Sequence, residues 1–425
     1  MPDVRRRPHV VIIGGGFGGI AAARALRRAD VDVTLVDRTN HFIFQPLLYQ
    51  VATAALAPSD ITAPIRWILR RQKNTRVLLG EVREIDCDAK VIRIDDELRE
   101  ISYDYLIVAP GARHHYFGHD EWEPYAPGLK AIEDASEIRR RFLLAYENAE
   151  KTTDERERDE LLTFVIIGGG PTGVELSGAI PYIAKKALAS EFRTLDTRRT
   201  KVVLVEAGPR ILPSFPEDLA QRAARDLADL GVEVRVNSFV TKVEANGVCV
   251  GEQKIRARTA FWAAGNKASP LGKFLGAPLD NAGRVKVNPD LSVPGHPEVF
   301  AIGDLATYAQ EGRTVPWVCP AANQEGAAAA KSIIRDLRHQ PRKNFHCFNK
   351  GDLATIGRSR AIADFGRIRF AGRAAWFLWL FVHIMYLVGF RNRVVVFIEW
   401  AYAYFTSQAG VRLITDVERY KPPVE

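Results

Sequence analysis

The sequence predicts an α/β protein with two Rossmann-like dinucleotide-binding domains, one inserted in the other, and a separate C-terminal helical region. Three observations predict it. An apolar run that enters a glycine turn and then a helical stretch occurs near the N-terminus and again near residue 165. Several later apolar runs also end in glycine-containing turns. The basic and aromatic character gathers at the C-terminal end.

With 425 residues, 47% hydrophobic and 26% charged, the chain is long enough for two or three domains and an ordinary core. Its four cysteines, Cys87, Cys249, Cys319 and Cys347, form no CxxC or CxxxxC pair. That spacing argues against zinc and against a local redox disulfide, and suits a reducing compartment. A strand beginning at His9 leaves no room ahead of it for a signal or transit peptide.

The first unit runs from His9. The apolar residues to Ile13 read as a strand, Gly14, Gly16 and Gly19 as a GxGxxG turn, the Ala-rich stretch as a helix, and Val31 to Val36 as a second strand. Asp37 closes that strand, 23 residues after Gly14. Glycine is needed here for a tight turn and for close approach of a pyrophosphate, whose charge faces the helix N-terminus. An acidic residue at the strand end accepts hydrogen bonds from a ribose.

The second unit repeats this order. Phe164 to Ile167 leads into Gly168, Gly170 and Gly173, and Lys201 to Val205 leads to Glu206. Here the acid lies 38 residues after the first glycine, so Glu191 to Thr200 must be absorbed as an insertion or a longer helix. An acid favours NADH over NADPH, because it binds a 2′-hydroxyl and repels a 2′-phosphate. Arg210, four residues on, weakens that preference.

Three further runs end in turns: Tyr105 to Ala112, with Ala109 and Gly111; Thr259 to Gly265; and Val299 to Leu305, with Asp304. Ligands collect at such strand ends. Two cradles imply two dinucleotides. FAD is expected on the first, with Asp304 on its ribityl chain and Phe17, Arg38 and Val82 among its contacts. NADH is expected on the second. The domains expected are therefore an FAD domain over 1–118 and 287–345, a charged, solvated connector over 119–159, an NADH domain over 160–286, and a C-terminal region over 346–425. No metal is implied.

Several stretches resemble the two-dinucleotide-binding-domain flavoproteins, and within them the type II, non-proton-pumping NADH:quinone oxidoreductases. They are NHFIFQPLLYQVA from Asn40, GGGPTGVELSGAI from Gly168, VCPAANQ from Val318, KGDLATIGR from Lys350 and HIMYLVGFRNR from His383. The resemblance covers nearly the whole chain. It implies oxidation of NADH through FAD and delivery of two electrons to a quinone, ubiquinone or menaquinone. It places Pro46 near the flavin, and Glu175 near the nicotinamide, where it tunes binding or relays protons. It places Gln324 on the quinone side, with Pro320, Ala321, His383 and Tyr386 nearby. The plainer alternatives are a helix-start carboxylate for Glu175 and a packing residue for Gln324. Relatives often carry glutamine where this chain has Pro320, and proline cannot donate a hydrogen bond. Two rivals share the fold: soluble NADH oxidases or ferredoxin-type reductases, and apoptosis-inducing-factor-like NADH-gated interaction proteins.

Residues 331–425 carry 16 Lys and Arg against 7 Asp and Glu, so the net +8 of the chain resides there. Ala374 to Phe390 is apolar except for His383, and Val394 to Phe405 is apolar except for Glu399. Three readings stand: a short membrane span, a buried helix, or an anchor lying in the interface. Basic residues at both ends give no sidedness, and the tryptophans and tyrosines suit headgroup depth. A nearly continuous apolar run fits lipid better than nucleic acid. The expectation is a peripheral enzyme on the cytoplasmic face of the cell (inner) membrane, on an anionic surface, with the same region able to pair two copies as a homodimer.

Overall fold

The computed structural model describes residues 6–95, 98–406 and 411–415. The rest of the expected C-terminal region, 407–410 and 416–425, lies outside the described residues. Contacts divide the chain into two units. The first takes in the chain to Ile43, Ala63–Arg113 and Asn266–Lys350; the second takes in Phe44–Thr62, His114–Gly265 and the chain from Gly351.

The first unit is built on a six-stranded sheet in the order Ser292–Val293, His296–Ala301, Tyr105–Val108, His9–Ile13, Asp32–Asp37 and Thr75–Leu79. Its inner strands run parallel, with His9 opposite Asp32 and Val10 opposite Tyr105. Val10, Val11 and Ile12 are fully buried. Continuous apolar runs of this kind belong in a sheet covered on both faces. One face is covered by the helix Phe17–Ala25, and across it lies the helix Cys319–Leu337. The two touch backbone to backbone: a Cβ on Gly326 would fall 2.1 Å from the Gly18 carbonyl oxygen. Only glycine allows that approach.

The second unit has a four-stranded parallel sheet ordered Val232–Arg235, Lys201–Val205, Thr163–Ile167 and Thr259–Trp262. Its glycine turn feeds the helix Pro171–Tyr182, which continues into a π-helical turn, Ile183–Ala187. That extra turn and the loop to Thr200 absorb the long spacing to Glu206. Thr197 Oγ1 ties the loop back to the Ala184 carbonyl at 2.7 Å.

The charged stretch expected to be a solvated connector is instead half-buried. It forms the helix Ile132–Lys151, whose Ile138, Phe142 and Tyr146 recur every four residues and face inward. Phe142 and Tyr146 lie 5.5 and 5.8 Å from Phe164, ring to ring. Glu133, Glu147 and Lys151 are exposed, but Arg139 and Arg140 are buried along with the apolar residues.

The C-terminal part of this unit is an antiparallel sheet, Asp352–Gly357, Arg360–Asp364 and Arg369–Ala371, followed by the helices Arg373–Tyr386 and Phe390–Thr406. The first apolar run is not one continuous helix. It breaks at Leu387, which is extended, and at Gly389, with φ +90°. No helix of the described residues is long and apolar enough to cross a membrane. Ala375, Trp379, Leu387 and Val396 are buried, whereas Phe377, Phe381, Met385, Phe390, Phe397 and Phe405 are exposed. Each helix thus has one packed and one bare apolar face.

Candidate functional site

The two glycine turns are near copies in atomic detail. Gly14 and Gly168 have φ of +97° and +110°, in the region that favours glycine. A Cβ on Gly19 would lie 1.8 Å from the Gly14 oxygen, and one on Gly173 would lie 1.9 Å from the Gly168 oxygen. Gly16 and Gly170 face open space, the room a pyrophosphate takes at a helix N-terminus.

The acids at the strand ends repeat the likeness. Asp37 accepts the Gly15 N–H at 2.5 Å and both donors of Thr39 at 2.7 Å. Glu206 accepts the N–H groups of Gly169 and Gly208, each at 2.6 Å. Each carboxylate therefore holds its own glycine turn in place. That holding role was not legible from the spacing. Arg210 donates to the carbonyls of Phe215 and Pro213, at 2.8 and 3.0 Å. It is engaged in its own loop.

Around the first cradle, the Ala109 carbonyl abuts Gly14, Phe17 packs edge-on to Phe42 at 4.9 Å, and Arg38 is exposed. Gly111 turns with φ +75°, and Val82 lies in the core beneath the sheet. Asp304 lines a small pocket with Gly303, Trp317, Ala322 and Glu325. The indole N–H of Trp317 is buried without a protein partner. An orphaned donor beside a glycine cradle fits a dinucleotide whose polar chain passes that way.

Glu325 also lines this pocket, though the sequence did not single it out. It is buried on the crossing helix and accepts the Gly303 N–H, holding the turn that carries Asp304. Its only sequence signal was an acid in a run of small residues. Burial pushes its carboxyl up to about 7, the Gly303 N–H opposes that, and Asp304 adds to it. A carboxyl raised above its ordinary 4.5 stabilises the fold at low pH, and that stability is lost as pH rises from there through about 7. Glu325→Gln should therefore melt higher than the parent at pH 8 and converge with it near pH 5. Parallel melting curves across that range would refute this.

In the second unit, Gly265 turns with φ +70° at the end of its strand. Glu175 lies on the cradle helix two residues past Gly173. Burial drives its carboxyl well above the ordinary carboxylate range. Pro46 lies in the short turn Gln45–Leu47.

The residues expected near quinone fall into two sets. Pro320, Ala321 and Gln324 share the start of the crossing helix. The Gln324 amide bonds Phe348 both ways, donating to its carbonyl at 3.1 Å and accepting its N–H at 2.9 Å. It also donates to the Pro320 carbonyl at 3.1 Å. His383 and Tyr386 share the first C-terminal helix. His383 stacks on Trp379 at 4.1 Å and donates Nδ1–H to the Trp379 carbonyl at 2.7 Å. Burial lowers it to about 4, so it is neutral at pH 7. Tyr386 is on the exposed side. None of the four cysteines is in a disulfide.

Residues 8–326 match the pyridine nucleotide-disulphide oxidoreductase family, and residues 349–408 match the NDH2 C-terminal domain. The type II NADH:quinone oxidoreductase NdhA of Mycobacterium tuberculosis is 47% identical, over 96% of this chain and 90% of that protein. The type II NADH:quinone oxidoreductase Ndh of the same organism is 42% identical, over 98% and 92%. The solved structure of NDH2 from Plasmodium falciparum in complex with NADH has a TM-score of 0.87 at 23% identity, covering 95% of this chain and 99% of that one. That last likeness concerns the fold.

Proposed function

The chain belongs to the pyridine nucleotide-disulphide oxidoreductase family and, within it, to the type II NADH:quinone oxidoreductases, and from that premise we propose how its residues divide the work. The observation that carries the reading is that similarity to NADH:quinone oxidoreductases runs through both cradles and on through the C-terminal domain.

In this reading Gly14, Gly16, Phe17, Gly19, Asp37, Arg38, Val82, Ala109, Gly111 and Asp304 hold FAD. Gly168, Gly170, Gly173, Glu206 and Gly265 hold NADH. Bound FAD supplies a carrier that takes two electrons from NADH and gives them to a quinone. No side chain needs to act as a nucleophile. The chain binds, orients and handles protons. Glu175, a carboxyl whose neutral form burial favours, suits a proton donor and acceptor. Pro46 belongs to the flavin surroundings. Gln324, Pro320 and Ala321, with His383 and Tyr386, form the quinone region. Proline at 320 removes a donor there, so the quinone opening is less polar than a glutamine would make it.

The bare apolar faces of the C-terminal helices support peripheral seating on a membrane, where quinone dissolves. Exchanging Phe377, Phe381, Phe390 and Phe397 for serine should lower partitioning onto anionic vesicles by more than about 100-fold, with flavin retained. Undiminished vesicle binding would refute the anchor.

The direct test of the activity is anaerobic rapid mixing followed at the flavin absorbance. NADH should bleach the flavin, and a soluble quinone analogue should restore it. A bleach that quinone does not reverse would move the reading to another acceptor.

A further inference from the structure

This inference rests on the reading of Gln324 as a quinone-facing residue, and it starts from how fully that side chain is engaged. Its NH2 has two protons. One goes to the Phe348 carbonyl and the other to the Pro320 carbonyl, each at 3.1 Å. Its oxygen accepts the Phe348 N–H at 2.9 Å. Turning the amide over would set oxygen against two carbonyls and NH2 against an N–H, so the network fixes its orientation. A quinone carbonyl accepts hydrogen bonds and has none to give. Gln324 in this state has no proton left for it. Its neighbours do not make up the difference: Pro320 has no N–H, and Ala321 gives its own to the Val318 carbonyl at 3.0 Å.

The partner of Gln324 belongs to an irregular segment. Phe345 is buried, with its ring 6.1 Å from that of Tyr308 and its N–H on the Pro289 carbonyl at 2.7 Å. From there to Gly351 the chain forms neither helix nor strand, and Phe348 is 67% exposed. A second glutamine grips the residue before Phe348 in the same two-sided way. Gln310 Oε1 accepts the Cys347 N–H at 2.7 Å. Gln310 Nε2 donates to the Cys347 carbonyl at 3.3 Å and to His346 Nε2 at 3.1 Å. Residues 346–348 are therefore a strap fastened by two side-chain amides, with the Phe348 ring left in solvent. A segment with few buried apolar contacts opens at low free energy.

We propose that this strap is a latch on quinone binding, and that Gln310 is a positioning residue for it. With the strap fastened, Gln324 is spent on Phe348. With the strap released, its NH2 is free to meet a quinone carbonyl. Only the released fraction of molecules is then competent, and the apparent affinity for quinone is reduced by that fraction. Loosening the strap at Gln310 should tighten quinone binding, the reverse of what losing a contact residue would do.

The test is hydrogen exchange resolved at the Cys347 and Phe348 amides of the FAD-loaded full-length protein, read beside the KM for a soluble quinone analogue. Gln310→Leu should speed exchange at both amides by about tenfold, because its hydrogen bonds to the strap are lost. It should lower the KM for the analogue by a similar factor, while NADH bleaches the flavin at the parent rate. Saturating analogue should likewise speed exchange at Phe348 in the parent protein. Unchanged exchange in Gln310→Leu, or exchange slowed by the analogue, overturns the proposal. Faster exchange with an unmoved or raised KM overturns the tie to quinone. Gln324→Leu then tells which premise failed: a KM at the parent value removes Gln324 from the quinone, whereas a changed KM keeps Gln324 there and removes only the latch. Should Gln310→Leu fold poorly, the effect of the analogue on the parent protein decides alone.

Discussion

Replacing Glu206 by arginine is expected to turn the coenzyme preference from NADH toward NADPH, changing the ratio of kcat/KM values by about a thousandfold. The carboxylate ends its strand with both oxygens engaged, on Gly169 and Gly208 at 2.6 Å. A ribose diol at that edge would exchange hydrogen bonds with a charged acceptor, each worth about 1.5–3 kcal/mol. Two of them lost account for roughly two orders of magnitude or more against NADH. A guanidinium in the same place pairs with a 2′-phosphate and contributes the remainder. Arg210 is held in its own loop, where two of its nitrogens donate to the carbonyls of Phe215 and Pro213. Since Glu206 also holds the glycine turn, the arginine variant should lose some activity with both coenzymes. Glu206→Gln, which keeps an acceptor, separates that loss from the change in preference. Steady-state rates with both coenzymes decide it, and an unchanged ratio would remove Glu206 from the ribose.

The second large effect is expected from Gly19→Ala. The new methyl would meet the Gly14 oxygen at 1.8 Å, far inside any non-bonded contact. Gly14 cannot retreat: its N–H is bonded to the Val36 carbonyl at 2.8 Å, and its own Cβ position is blocked by Ala109. The purified variant should be nearly colourless, with flavin content reduced more than about tenfold. Gly173→Ala makes the same clash in the other cradle, at 1.9 Å from the Gly168 oxygen. That variant should stay yellow yet resist bleaching by NADH. If the two phenotypes came out exchanged, the assignment of the cofactors to the cradles would be reversed.

The parts of this site that were legible in the sequence are those written in local spacing. Gly14, Gly16 and Gly19 lie within six residues, and the acids Asp37 and Glu206 close the next strands. The parallel sheets follow from apolar runs such as VVII. What spacing cannot show is pairing at a distance. The Gln324 amide is matched to the backbone of Phe348, which a reading of single residues takes for a free polar group. Gln50 meets Trp400, and nothing near either residue announces the other. The buried face of Ile132–Lys151 was hidden by the charges interleaved with it. Glu325 looked like an ordinary helix acid, because its burial depends on the Gly18–Gly326 crossing.

That crossing has a consequence for synthesis. The helix Cys319–Leu337 rests on Phe17–Ala25, and the sheet beneath needs His296–Ala301 beside Tyr105–Val108. The first unit therefore cannot close until some three hundred residues have been made after its opening strand. The parallel sheet of the second unit uses only residues 163–262, a single continuous stretch. At about 5–20 residues per second on the ribosome, that stretch emerges whole while the earlier strands still wait for their partners. The sheet that begins the chain is thus completed after the parallel sheet of the second unit. Apolar strands such as His9–Ile13 must be kept from wrong pairing in the interval.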